Sequence, residues 1–494
     1  MTAEAKRSVF AGLNSGFARG VKLLGATAIA SLLFSSCAVG PDYKAPEPLV
    51  QDQWFSEQVG EAGMRGPATD WWKVLGDPQL EKYINAAVAR NKELDAARAI
   101  ALRARALRSE SAAPFYPTLG ANAAAVRQRS GGETSSAFSG TLDSSWEIDV
   151  FGGTRRATEA AGARVEGAEE NRRAVLLSVL AEVARNYYAV RGFQKRIAIT
   201  QKNIELQERT YRLVDTLFQL GEASAFDLSR ARGQLELTQS RLPDLEAEMR
   251  AGIFRLSVLL GQPPEALLEE MSAVKPLPAP PDVVPVGLRS DILRRRPDVR
   301  AAERELAASV ADIGAATARL YPDFSLTGAV GSSARVLSDL FQSGSGIFSI
   351  GSFLRWPIFE GGALRARIKA EGAEADQAEA LYEQSVLDAL ADAETALTRY
   401  AQKLNTRNRL QNAVESRQRS VELARALFDS GEEDFLSVLD AERELVNAED
   451  ELVRSETDTI LNLITLYTAL GGGWEVFEEP GRAAENRDMA TSKN

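Results

Sequence analysis

Two periodicities run along the chain, and each occurs twice. From Phe138 to Val150 the apolar Phe138, Leu142, Trp146, Ile148 and Val150 share one parity, while Ser139, Thr141, Asp143, Ser145, Glu147 and Asp149 take the other. A period of two predicts a strand with one dry and one wet face. The pattern returns with Phe348, Ile350, Leu354, Trp356 and Ile358 on one face. Gly152-Gly153 and Gly361-Gly362 stop these strands, and uninterrupted helical patterns then run to Gly221 and Gly431. At about 1.5 Å per residue each helix would reach on the order of 100 Å, more than a compact domain holds. Ile204, Tyr211 and Phe218 recur at sevens, as do Val414, Val421 and Phe428, which predicts helices coiling around neighbours.

The repetition is an internal duplication. Gly221 and Gly431, Ala231 and Ala441, and Leu260-Gly261 and Leu470-Gly471 all lie 210 residues apart, whereas Tyr116-Pro117 and Tyr321-Pro322 lie 205 apart. Each copy therefore builds one supersecondary unit, in the order helix, two strands, long helix, turn, helix. The predicted organisation is residues 1–36 as a signal peptide, 37–80 as an arm, 80–261 as repeat one and 262–287 as a Pro-rich linker. Repeat two is 288–473, and 474–494 is a polar tail.

Each copy supplies two strands, so one chain offers four. An apolar face opposite a polar one suits a lipid-facing barrel strand, although a soluble sandwich would show it too. If the strands cross a membrane, four cannot close, because an unpaired edge in lipid leaves backbone groups unsatisfied. Two chains give eight strands and a filled interior; three give twelve and a lumen. The polar face with Glu147 and Asp149 favours water inside, hence three chains. Trp146 and Trp356 then fall near one interfacial girdle, or else are simple core aromatics.

The single cysteine, Cys37, follows an apolar run from Leu23 to Phe34 preceded by Lys6, Arg7, Arg19 and Lys22. That is secretory-signal architecture, too short for a membrane-spanning helix of about 20 residues. Phe34-Ser35-Ser36-Cys37 resembles a bacterial lipobox, which implies lipid on Cys37; the alternative is a buried free thiol. In the lipoproteins it resembles, aspartate after the cysteine commonly means inner-membrane retention, so Ala38 points to the outer membrane.

Charge and composition narrow the chemistry. A net charge of −11 disfavours nucleic-acid binding, and the absence of histidine removes the usual general base and metal ligand. No Gly-Lys dipeptide exists, so there is no P-loop. Gly471-Gly472-Gly473 reads as a helix terminus and Arg294-Arg295-Arg296 as a solvated helix end. No metal-ligand spacing is visible. Neither an enzyme nor a cofactor is expected, beyond the covalent lipid.

Several stretches then resemble a known family. "GLRSDILRRRPDVRAAERELAASVADIGAATARLYPDFSLTGAVG" (287–331), "LRWPIFEGGALRARI" (354–368), "LYTALGGGW" (466–474) and "CAVGPDYKAP" (37–46) are similar to the outer-membrane factor (TolC-type) family of tripartite efflux pumps, in its NodT/OprM-like lipoprotein branch. The resemblance implies a mixed α+β membrane protein, a homotrimer with a twelve-stranded outer-membrane barrel continued by a long α-helical periplasmic barrel. It implies docking on a periplasmic adaptor (membrane fusion) protein and an inner-membrane RND transporter, and passive export of small molecules such as drugs or other toxic compounds. "FLSVLDAER" (435–443) resembles the segment that constricts the periplasmic entrance, giving Leu436, Asp440 and Arg443 as a gate. Their spacing i, i+4, i+7 independently puts them on one helical face, where Asp440 and Arg443 could equally be an ordinary solvated pair. The turns at Gly221-Glu222 and Gly431-Glu432 match the tips that adaptors contact in the family; otherwise these glycines are helix stops. A periplasmic adaptor lipoprotein and a secreted hydrolase using carboxylate pairs are the rival readings. An adaptor would carry one hairpin between soluble β domains rather than two copies with a strand pair each.

Overall fold

A computed structural model describes residues 38–46, 54–55 and 69–478; Cys37, the leader before it, most of the arm and the tail from 479 lie outside the described residues. The elements run α1 (Pro78–Arg90), α2 (Lys92–Ala112), β1 (Thr118–Ser130), β2 (Glu133–Ile148), α3 (Gly153–Gln219), α4 (Ala225–Gln239), α5 (Arg241–Leu259), α6 (Asp291–Arg295), α7 (Pro297–Ala318), β3 (Asp323–Ala334), β4 (Gly346–Arg355), α8 (Ala363–Asp429) and α9 (Phe435–Ala469). Helices α3 and α8 are each 67 residues long. Among the described residues no helix is long and apolar enough to cross a membrane.

The chain divides into two compact units, and neither is a repeat. One holds Leu102–Gly167 and Ala302–Leu381 with residues 38–46; the other holds Ala168–Ala301 with residues 69–101 and 382–478. Each unit thus takes a share of both sequence copies.

The first unit contains the sheet. Its order is β1-β2-β3-β4, every pair antiparallel, with β1 and β4 as edges that have no strand partner among the described residues. The register aligns Ala121, Leu142, Val330 and Phe348 on one rung and Asn122, Thr141, Gly331 and Ile347 on the next. Alternate rungs point to opposite faces, so the first face collects Phe138, Leu142, Trp146, Leu326, Val330, Phe348, Ile350 and Leu354. That apolar face is open to the surroundings, with Phe348 84% and Ile350 88% exposed. Beside the sheet, Arg156 is buried and bonded to Asp42 at 2.6 Å and Glu159 at 2.9 Å, which ties the described N-terminal segment to α3.

The second unit has the larger core. Trp71 stacks on Tyr467 with ring centres 5.8 Å apart, and Leu80, Ile84, Leu180, Tyr187 and Leu463 are fully buried around them. The Pro-rich linker is pinned into this core rather than left free. Buried Arg191 donates to the Ala273 carbonyl (2.6 Å) and to Gln79 (2.8 Å), the Tyr400 hydroxyl donates to the Pro281 carbonyl, and Met271, Val284 and Val286 are buried.

Local chemistry sets where helices break. Asn91 separates α1 from α2: its side-chain oxygen accepts from Glu93 N (2.9 Å) and Leu94 N (3.1 Å), an N-cap. Repeat one has two helices after its turn where repeat two has one. Pro243 lies in the first turn of α5, and a proline without N–H is tolerated there but not inside a helix; α9 has no proline and runs unbroken for 35 residues.

Three sequence expectations need correction. The strands end earlier than the alternation suggests, at Ile148 and Arg355, so Val150, Trp356 and Ile358 lie beyond them. Asp149 does not belong to the wet strand face; its carboxylate accepts from Thr154 N (3.1 Å) and Arg155 N (2.9 Å) and caps α3. Arg296 is not a solvated helix end: its side chain is 12% exposed and bridges Asp298 (2.6 Å) and Asp392 (3.1 Å).

Candidate functional site

The two hairpin turns in the second unit are built alike. Gly221 and Gly431 have φ +78° and +76°, the left-handed region that stops a helix at low cost. After them Glu222 N donates to the Leu217 carbonyl (2.8 Å) and Glu432 N to the Leu427 carbonyl (2.9 Å). Nothing lies within 4 Å of a Cβ built at either glycine, so backbone conformation and not crowding demands it. The next helices start on caps: Ser224 with Asp227 in a reciprocal capping box, and Asp434 accepting from Ser437 N at 3.2 Å. Glu222 and Glu432 are exposed at the tips.

Leu436, Asp440 and Arg443 lie along α9 just after the second turn. Arg443 pairs with Asp440, and both are exposed; its other carboxylate neighbour is Glu444 at 3.4 Å. Leu436 is half-buried and next in sequence to Phe435, which joins Val214, Ala231, Val438 and Leu439 in a cluster where α3, α4 and α9 meet.

Two features around this tip had no signal in apolar periodicity. Glu442 is a buried acid; it receives Arg425 Nη2 of α8 at 2.6 Å and the Thr210 hydroxyl of α3 at 3.2 Å, so one carboxyl group joins three helices. The inward stripe of α3 is Asn203, Gln207, Thr210 and Val214, all buried at heptad spacing, whereas Ile204 and Tyr211 are half-buried and Phe218 is exposed. The inward seam is therefore mostly polar, one residue out of step with the expected apolar seam. Asn203 donates to Glu449 at 3.1 Å, and Gln207 lines a cavity of about 140 Å³ with Lys202, Val421 and Leu445.

In the first unit the second face of the sheet carries polar groups. Asn122 donates to Asp143 at 2.6 Å and Thr141 to the same carboxylate at 2.8 Å, with Glu147, Ser325, Thr327 and Ser349 on that parity. Ile347 and Phe353 of β4 interrupt it, placing apolar side chains on this face as well. The two tryptophans repeat one contact: Trp146 Nε1 donates to the Phe115 carbonyl (3.0 Å) and Trp356 Nε1 to the Leu320 carbonyl (3.1 Å). Cys37 lies outside the described residues. Among the described residues no group of three or more Asp, Glu, Cys or His could hold a metal ion.

A duplicated strand pair followed by a duplicated long hairpin, with the sheet's apolar face exposed, is the build of an outer-membrane channel subunit. The chain belongs to the Outer membrane efflux protein family, whose profile matches residues 83–262 and 288–472. It is 30% identical over 459 residues to Nodulation protein T of Rhizobium leguminosarum bv. trifolii, covering 91% of this chain and 97% of that one. It is 31% identical over 494 residues to the antibiotic efflux pump outer membrane protein ArpC of Pseudomonas putida, covering 96% and 99%. The solved outer-membrane channel OprN superposes with a TM-score of 0.83 at 35% identity, over 89% of this chain and all of that one. The protein is an efflux channel of the bacterial outer membrane.

Proposed function

We propose that three copies close a twelve-stranded barrel and that the assembly is a passive conduit for small molecules. The observation that carries this reading is the open sheet: four strands, free edges at β1 and β4, and an exposed apolar face. In lipid every backbone donor and acceptor on those edges needs a partner, and another copy's opposite edge supplies it. Twelve strands leave a lumen, which the side bearing Asn122, Asp143 and Thr327 would line with water.

Energy and selection come from partners. The turns at Gly221-Glu222 and Gly431-Glu432 are the surface offered to a periplasmic adaptor, and an inner-membrane RND transporter loads the duct. Leu436, Asp440 and Arg443 narrow its periplasmic entrance as three symmetric sets. Relatives carry names for antibiotic efflux and nodulation, so the cargo here is drugs or other small toxic compounds, and no covalent chemistry is needed. Cys37 carries a lipid that adds a second membrane attachment to the barrel; loss of radiolabelled palmitate in Cys37→Ser tests it, and persistent label refutes it.

Planar bilayers test the conduit directly. Purified full-length protein is expected to give discrete current steps, and membrane-inserted protein that passes no current would overturn the reading.

A further inference from the structure

The apolar face of the sheet carries charge at two positions only. By register that face comprises the odd positions of β1 and the even positions of β2, β3 and β4. Leu119, Ala121, Ala123 and Ala125 open the β1 series, and it closes with Arg127 and Arg129. Neither β2, β3 nor β4 places a charged residue on this face. The carboxylates of the sheet, Glu133, Asp143, Glu147 and Asp323, all have the opposite parity. Both arginines are exposed, and among the described residues neither guanidinium makes an ion pair or hydrogen bond.

Their height along the strand is informative. Thr118 is paired with Ser145, the neighbour of Trp146, at the end where the strands meet the helices. Nine residues on, at about 3.4 Å each and a strand tilt of about 40°, Arg127 stands about 23 Å further across the membrane, close to the ~25 Å apolar band of such barrels. Arg127 and Arg129 thus sit at the far interface, next to the Gly131-Gly132 turn, where a lipid-facing cation is cheap rather than costly. The residues opposite them are Ser136 and Thr134, so two guanidiniums and two hydroxyls share one patch. Guanidinium is the side chain best suited to bind phosphate through paired N–H groups.

We propose that this patch binds the phosphorylated headgroup of a lipid in the outer leaflet, with Arg127 and Arg129 on the phosphate and Ser136 and Thr134 on neighbouring polar groups. The inference rests on the barrel reading, because only a lipid-facing sheet brings these residues to a headgroup. It fixes the depth of the barrel by charge at the far interface, where the tryptophans set it at the near one.

Full-length wild type and the R127Q/R129Q double variant are purified in neutral maltoside and incubated with lipid A bearing two phosphates, with dephosphorylated lipid A, or with inorganic phosphate. Native mass spectrometry reads what stays bound, and insertion into phosphatidylcholine vesicles is measured alongside. Wild type should retain phosphorylated lipid A roughly thirtyfold better than the double variant, the sum of two surface cations against an anionic lipid. It should also prefer that lipid to the dephosphorylated one, and inorganic phosphate should not displace it. Equal retention by the double variant, indifference to the phosphates, or displacement by inorganic phosphate would overturn the proposal while leaving the barrel intact. Failure of wild type to insert into phosphatidylcholine would instead remove the barrel reading on which it stands.

Discussion

Arg425 Nη2 lies 2.6 Å from Glu442 Oε1 and ties α8 to α9 two residues from Asp440. The Glu442 side chain is 7% exposed and the Arg425 side chain 44%, so the acid is buried and the base is half in solvent. Cutting a fully buried pair costs about 3–5 kcal/mol. Solvent around Arg425 screens the charge, which brings the expected cost of Arg425→Met to about 1–2 kcal/mol. Hydrogen exchange across 435–446 should quicken in Arg425→Met and slow again when Glu442→Leu is added, since no unpaired carboxylate then remains. Unchanged exchange in the single variant would mean the pair does not hold these helices.

The exposed pair beside it predicts something different. In the proposed trimer three Asp440 carboxylates would converge on one axis and repel, and the Arg443 paired with each would offset that repulsion. Asp440→Ala should raise single-channel conductance by removing the side chain that narrows the entrance, and Arg443→Ala by leaving the carboxylates to repel, neither altering stability because both side chains are exposed. Wild-type conductance in both variants, with unchanged block by multivalent cations, would place the constriction elsewhere.

The sequence was most readable where one physical constraint acts alone. The second strand of each pair, the two long helices and their glycine stops follow from alternation, periodicity and left-handed φ, and the helices and stops can be checked against their partners 210 residues away. The strand ends were less readable because Val150, Trp356 and Ile358 keep the parity after the ladder has stopped, and parity does not report hydrogen bonding. Asp149 looked like a wet strand residue for the same reason, although its carboxylate is spent on α3. The inward stripe of α3 was invisible because Asn203, Gln207 and Thr210 are polar, and a search for apolar sevens finds the half-buried Ile204 and Tyr211 instead. Glu442 gave no signal either: a buried acid differs from a surface acid only through Arg425 and Thr210, which are distant in sequence.

Arg296 and Asp298 give the stability of the second unit a pH dependence. Burial alone would raise the Asp298 carboxyl, but the hydrogen bond and charge of Arg296 outweigh it and hold the group below the ordinary carboxylate value near 3.8. A lowered folded value means that the stabilisation is complete above that pH and is lost as pH falls through the folded value. Thermal unfolding of wild type and Asp298→Asn should therefore differ most at neutral pH and converge as the pH is taken below about 3.8. A difference independent of pH would show that the carboxylate charge contributes nothing.

Closure by three copies is the central claim, and native mass spectrometry of the detergent-solubilised protein tests it most directly. One chain presents four strands and two open edges, so the account predicts a single species of three chains that keeps its strand signal in circular dichroism. A stable single chain with the same strand content would contradict it, because four strands would then persist in an apolar phase with their edges unpaired.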